Sequence, residues 1–280
     1  MMQRAPFGVR LAEATATLGP LCVGIDPHPE LLRAWGLPVD PDGLRRFART
    51  CVEAFAGHVA VVKPQSAFFE EYGSAGIQVL EETLAAFRGS GTLTLLDVKR
   101  GDIGSTMAGY GRAYLADGSP LAADAITVSP YLGFGSLAPA IALAGQTGRG
   151  VFVLALTSNP EGAEVQHARD GQVSVAGAVV AGAREANAAA LSEGHLGHVG
   201  LVVGATIGSA AMDLGIDLAT VNGPLLAPGF GAQGADAAAI RRLFGAVLPA
   251  VLPSSSREIL GAGPDLGDLR AAAYGAWPGE

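Results

Sequence analysis

The sequence predicts an α/β protein, a closed (β/α)8 or TIM barrel filling residues 1–280 as a single domain. Three observations predict it: eight short runs rich in Val, Ile and Leu, helix-compatible stretches between them, and a composition suited to a packed interior with many turns. Hydrophobic residues make up 49% of the chain. Charged residues are 16%, against a norm of about 25%, so most of the chain must be packed rather than solvated. Forty glycines and 17 prolines supply the turns.

The runs come in order. Leu21–Ile25 is the first, and the helical stretch Asp42–Phe55 follows it. Val59–Val62 precedes Gly76–Phe87, and Leu93–Val98 is the third strand. Ala125–Val128 leads into Leu137–Ala144, and Val151–Leu156 into Ala176–Leu191. Val199–Val203 is the sixth, Gly223–Ala227 the seventh with Asp236–Phe244 behind it, and Val247–Leu252 the eighth. Continuous apolar runs of this length suit parallel strands buried on both faces. An open doubly wound sheet is the rival architecture. The first run leads into Gly24-Ile25-Asp26-Pro27, with no Gly-x-Gly-x-x-Gly turn, and that favours the barrel. Surface insertions are expected near 34–43 and 159–173, and a last helix after Gly263.

Charge and cysteine usage narrow the partners. The net charge is −8 and no Lys/Arg run exceeds two residues, which argues against a nucleic-acid surface. No apolar stretch reaches the roughly 18 residues of a membrane span, and Met1–Leu18 lacks the apolar core of a signal peptide. The expected setting is cytoplasmic, with no membrane partner. Cys22 and Cys51 form neither a metal spacing nor a disulfide framework and read as small buried hydrophobes. The five histidines are scattered, and no metal site is expected.

The informative residues are polar groups at the C-terminal ends of the apolar runs. Asp26 ends the first, Lys63 the second, and the third runs Leu95-Leu96-Asp97-Val98-Lys99-Arg100-Gly101-Asp102. Thr157-Ser158 ends the fifth. In a parallel barrel these ends converge on one mouth, where such enzymes build their sites. Asp97 and Lys99 are two apart, so on a regular strand both face the interior. With Lys63 from the neighbouring strand and Asp102 folding back, an alternating array Lys63–Asp97–Lys99–Asp102 is expected. Burying such groups unpaired would cost several kcal/mol per ion. A structural ion-pair network is the plainer reading of the same four charges. After the seventh run, Pro228–Gly234 is glycine-rich, and Ser254–Ser256 with Arg257 follows the eighth. Both loops stand where barrels commonly hold a phosphate.

The string Asp97-Val98-Lys99-Arg100-Gly101-Asp102-Ile103-Gly104-Ser105-Thr106 resembles the Asp-x-Lys-x-x-Asp-Ile-x-x-Thr signature of the orotidine 5′-phosphate decarboxylases, in the longer bacterial subgroup. Gly24-Ile25-Asp26, Val62-Lys63-Pro64, Thr157-Ser158-Asn159-Pro160, the Pro228–Gly234 loop and Ser256-Arg257 look like further family segments. Many members carry Gly where this chain has Ser256; a backbone N–H contact tolerates the change.

The resemblance implies cofactor-free decarboxylation of orotidine 5′-phosphate to UMP and CO2, the last step of UMP biosynthesis. It implies Lys99 as proton donor to C6 and stabiliser of the carbanion, with Asp97 against the substrate carboxylate. Lys63 and Asp102 would hold the array and contact the ribose, with Asp26 on ribose hydroxyls. Ser158 would read the pyrimidine, and Gln233 and Arg257 would grip the phosphate beside Pro228 and Ser256. Asp102 and Thr106, with Ile103 between them, are expected in a site shared across a homodimer. The nearest rivals are sugar-phosphate decarboxylases and synthases that use a metal with an acidic residue on strand two. Lys63 at that position would repel the cation. A non-catalytic nucleotide-binding barrel is expected to lack one of the four charges, and a scaffold leaves them unexplained.

Overall fold

The computed structural model describes residues 4–230 and 237–277. Eight parallel strands close into a barrel: β1 (Cys22–Ile25), β2 (Val61–Pro64), β3 (Leu93–Arg100), β4 (Ala125–Val128), β5 (Gly150–Leu156), β6 (Val199–Val203), β7 (Leu225–Pro228) and β8 (Val251–Ser255). Each pairs with its sequence neighbours, and β1 closes on β8 with Cys22 opposite Ser254 and Val23 opposite Ser255. No described helix is long and apolar enough to cross a membrane.

Strand alternation sorts the side chains. Val23, Val62, Leu96, Ile126 and Val153 face outward into the layer shared with the helices. Cys22, Val61, Leu93, Leu95, Ala125, Phe152, Val202, Leu226 and Leu252 fill the lower barrel interior. The helix Phe7–Leu18 closes the N-terminal end by setting Phe7 and Leu11 into that interior, Phe7 edge-on to Phe152 with ring centroids 6.1 Å apart. Climbing each column by two residues turns apolar into polar: Val61 to Lys63, Leu95 to Asp97, Ala125 to Thr127, Leu252 to Ser254. All four polar residues are buried. The barrel is therefore plugged at one end and polar at the other.

Several expected boundaries shift for identifiable reasons. The second strand starts at Val61 rather than Val59 and takes in Lys63 and Pro64. The eighth strand begins only at Val251, because Gly245–Ala250 forms a 3-10 turn around Pro249, which has no N–H for a ladder. Buried Ser254 and Ser255 extend that strand to the mouth. The stretch Ala176–Leu191 is two helices, Val175–Ala186 and Ala188–Ser192. Between them Asn187 is buried, donating to the carbonyls of Val199 and Val221 and accepting from Val199 N–H. A polar side chain satisfied three times in the barrel wall takes precedence over helix continuity.

Of the expected insertions, 159–173 follows β5 and carries a short helix, Gly162–Gln166, and a hairpin pairing Arg169–Asp170 with Val173–Ser174. The 34–43 segment instead links helix Pro29–Ala34 to helix Pro41–Phe55. It is anchored, with Trp35 buried against Phe47 and donating to Leu260 O. Cys22 and Cys51 are both free and fully buried. Burial pushes the Cys22 thiol up to about 12, so it packs as a neutral group. After cis-Pro264 the helix Leu266–Ala276 forms as expected.

Candidate active site

At the polar end, Asp97 receives four donors. Lys99 Nζ (2.6 Å) and Thr127 Oγ1 (2.7 Å) reach Oδ1; Lys63 Nζ and Gln65 Nε2, each at 3.0 Å, reach Oδ2. Every lone-pair direction of the buried carboxylate is thus used. Burial alone would push Asp97 up, but the two lysines and the hydrogen bonds hold it far below the usual carboxylate range. Burial would likewise pull Lys63 down, yet Asp97 and Asp26 hold its ammonium above the ordinary lysine value. At neutral pH the centre is charged, two cations on one anion.

Lys99 departs from a regular strand. Its φ is +45°, and among described non-glycine residues only Asn222 shares a positive φ. Such a conformation costs a lysine on the order of 1–3 kcal/mol. The cause is a bulge: Leu96 pairs with Ile126 and Arg100 with Val128, so Asp97, Val98 and Lys99 all stand opposite Thr127 alone. The alternation expected for Asp97 and Lys99 therefore breaks. Their side chains still meet, but Asp97 is buried while the Lys99 side chain is 47% exposed, reaching up into the mouth.

Asp102 does not join this cluster within the chain. Past Lys99 the backbone runs through Gly101, where a Cβ would collide with Ser129 O, and the Asp102 carboxylate accepts from Ile103 N–H at 2.8 Å. Among the described residues Asp102 makes no ion pair. Ile103 is 61% exposed and Thr106 is exposed too. Tyr131 and Leu132, on the adjoining loop after β4, are likewise exposed.

Around the first and last strands, Asp26 Oδ1, Ser255 Oγ and Ser256 Oγ are buried without a partner among the described residues. Gly24 lets these groups converge: a Cβ there would lie 2.7 Å from Ser256 Cβ and 3.3 Å from Asp26 Oδ2. Buried polar groups without partners at a barrel mouth mark a place for a polar ligand. Beside them Arg257 is exposed at the start of the helix Arg257–Leu260, following Ser256. Pro228 ends β7, its carbonyl accepting from Ala205 N–H, and Gly229 turns the chain at φ +97°. Gln233 lies outside the described residues. Ser158 is exposed after β5 beside Gly204, while its neighbour Thr157 is held by Gln166 through two hydrogen bonds.

Two members of the central cluster, Thr127 and Gln65, do not emerge from the sequence reading. The available signals were a lone Thr in the aliphatic strand Ala125–Val128 and a Gln two residues past Lys63. Among the described residues, no group of three or more His, Cys, Asp or Glu is placed to hold a metal ion.

Comparison with known proteins gives a consistent set of relatives. A profile described as "Orotidine 5'-phosphate decarboxylase / HUMPS family" matches residues 19–272. The orotidine 5′-phosphate decarboxylase of Salinispora arenicola is 63% identical over 268 residues, covering 95% of this chain and 94% of the relative. That of Streptomyces coelicolor is 56% identical over 269 residues, 96% of this chain and 94% of the relative. A crystal structure of a candidate orotidine 5′-phosphate decarboxylase from Streptomyces avermitilis superposes with a TM-score of 0.93 at 55% identity, covering 98% of this chain and 94% of that one. The OMP decarboxylase of Leishmania donovani superposes at 0.72 with 30% identity, over 96% and 95% of the two chains.

Proposed function

The chain belongs to the orotidine 5′-phosphate decarboxylase / HUMPS family, and from that membership we propose that it converts orotidine 5′-phosphate to UMP and CO2. The Lys63–Asp97–Lys99 cluster carries the reading, because it places an ammonium at a barrel mouth on a carboxylate that stays ionised. The C6–carboxylate bond breaks, the electron pair stays on C6, and CO2 departs. Lys99 then gives one Nζ proton to C6 and regains it from solvent. With no electron sink on the pyrimidine, the carbanion needs a cation within contact distance, and selective stabilisation by Lys99 supplies it. Asp97 holds that ammonium and lies against the departing carboxylate.

Such reactions call for barrier reductions toward the upper end of what enzymes achieve, about 23 kcal/mol. One lysine does not provide that. Binding energy from the rest of the nucleotide fixes the base over Lys99. Arg257 and Gln233 take the phosphate, with the Ser256 backbone and Pro228 beside it. Asp26, whose buried Oδ1 has no partner among the described residues, takes ribose hydroxyls, and Ser158 the pyrimidine edge.

The functional unit is a homodimer in this reading. Asp102, which makes no ion pair among the described residues, and the exposed Thr106 complete the neighbour's ribose site. Ile103, Tyr131 and Leu132 are large apolar side chains left exposed on the loops after β3 and β4, which supports burial in an interface. The reaction proceeds without a metal, and Lys63 on β2 would repel one.

The test follows the fall in orotidine 5′-phosphate absorbance, with UMP identified as product, in excess EDTA. Turnover by the wild type, and its loss in Lys99→Ala with the fold retained, is the expected result. Turnover that stops with the chelator, or survives in Lys99→Ala, overturns the mechanism.

A further inference from the structure

The bulge at Asp97–Lys99 leaves a gap in the β3–β4 ladder, and one side chain fills it. Three residues of β3 face Thr127 alone, so the Lys99 N–H has no backbone carbonyl opposite it. It donates instead to Thr127 Oγ1 at 2.9 Å. The same hydroxyl donates its proton to Asp97 Oδ1 at 2.7 Å, the oxygen that also takes Lys99 Nζ. Thr127 is 1% exposed, so water does not replace these bonds. The hydroxyl therefore ties both ends of the bulge, the backbone of Lys99 and the carboxylate that its ammonium grips.

From this geometry we infer that Thr127 is a positioning residue: its hydroxyl holds Lys99 in the left-handed conformation and so aims the ammonium into the mouth. The inference rests on the decarboxylase reading for its catalytic consequence, not for its geometry. A regular strand at Lys99 would carry its side chain along the wall rather than out of the bulge. A hydroxyl is required because the site needs an acceptor for one N–H and a donor for one carboxylate oxygen. Valine has the same shape and provides neither.

Three forms separate the possibilities. Thr127→Val is expected to lower kcat by about 10- to 100-fold, the loss of a buried hydrogen bond to a charged group, with KM within about threefold of wild type. Thr127→Ser, which keeps the hydroxyl, is expected to stay within about threefold of wild type in both. Crystal structures of both variants report the Lys99 φ and the Nζ–Asp97 distance, expected to change in the valine form only. If Thr127→Val does not fold, Thr127→Ala carries the same comparison. Unchanged kcat in the valine form, a rise in KM alone, or equal losses in serine and valine forms would each overturn the inference. If the wild type itself does not decarboxylate, the functional reading falls, and the Lys99 φ in the valine structure alone decides the positioning role.

Discussion

Lys63 Nζ and Asp97 Oδ2 stand 3.0 Å apart with both side chains under a tenth exposed. The pair crosses from β2 to β3 inside the barrel, between an apolar floor and an open mouth. Two charges so placed are costly to separate, since removing one leaves the other buried and uncompensated. Their protonation therefore links the site to the stability of the fold.

Asp97 sits below its unfolded value and Lys63 above. The Asp97 contribution is present above the unfolded aspartate value, about 3.9, and is lost as pH falls from there toward its lower folded value. The Lys63 contribution is present below the unfolded lysine value, about 10.4, and is lost as pH rises beyond it. Asp97→Asn is expected to cost about 3–5 kcal/mol across neutral pH, because two lysines lose their counter-ion. Urea unfolding from pH 2 to 9 checks this. The gap between wild type and variant should stay level from about pH 5 to 9 and narrow below about pH 4. A gap independent of pH down to 2 would mean that Asp97 is not held ionised.

Arg257 is exposed at the mouth, next in sequence to Ser256, whose hydroxyl has no partner among the described residues. A guanidinium on phosphate oxygens makes a charge-assisted contact, so Arg257→Ala is expected to weaken UMP by about 10- to 100-fold. Uridine, without the phosphate, should bind the variant and the wild type alike. Calorimetric titration of both ligands reads the difference, and equal weakening would move the phosphate elsewhere.

Much of this architecture is legible in the sequence, for reasons visible in particular residues. β4 and β6 are short, mostly aliphatic runs buried along their whole length, so their bounds match the expectation. The polar tops of the strands declare themselves as charges in such runs. What does not show is the bulge: Leu95-Leu96-Asp97-Val98-Lys99 reads as plain alternation. Its distortion depends on pairing an eight-residue strand with a four-residue neighbour. Thr127 and Gln65 matter only through that pairing. The expected eighth run, Val247–Leu252, overreaches the strand because Val247 and Leu248 are apolar without being β, packing on the core from a 3-10 turn.

Asn187 is a test of the frame as distinct from the site. It is 1% exposed and makes three hydrogen bonds to the backbone of Val199 and Val221. Asn187→Ala would strand those buried groups and open a cavity, at a cost of about 3 kcal/mol. Thermal unfolding should show a drop of several degrees while kcat at 25 °C stays near the wild-type value. A matching fall in kcat would place Asn187 in the route to the site.

Whether Asp102 serves its own chain or a neighbour's can be read from mixed dimers. Asp102 bonds Ile103 N–H and makes no ion pair among the described residues, although it lies only three positions past Lys99. Lys99→Ala and Asp102→Ala are each expected to be nearly inactive alone. If Asp102 acts across the interface, a dimer with one copy of each holds one intact site, with Lys99 from one chain and Asp102 from the other. Random reassortment makes half the dimers mixed, so equal mixing should restore about a quarter of wild-type activity. If Asp102 acts within its own chain, neither site of the mixed dimer is complete and mixing restores nothing. Activity after co-refolding, read with sedimentation to confirm dimers, decides between the two. Restored activity would also explain why Ile103 is left 61% exposed on a single chain.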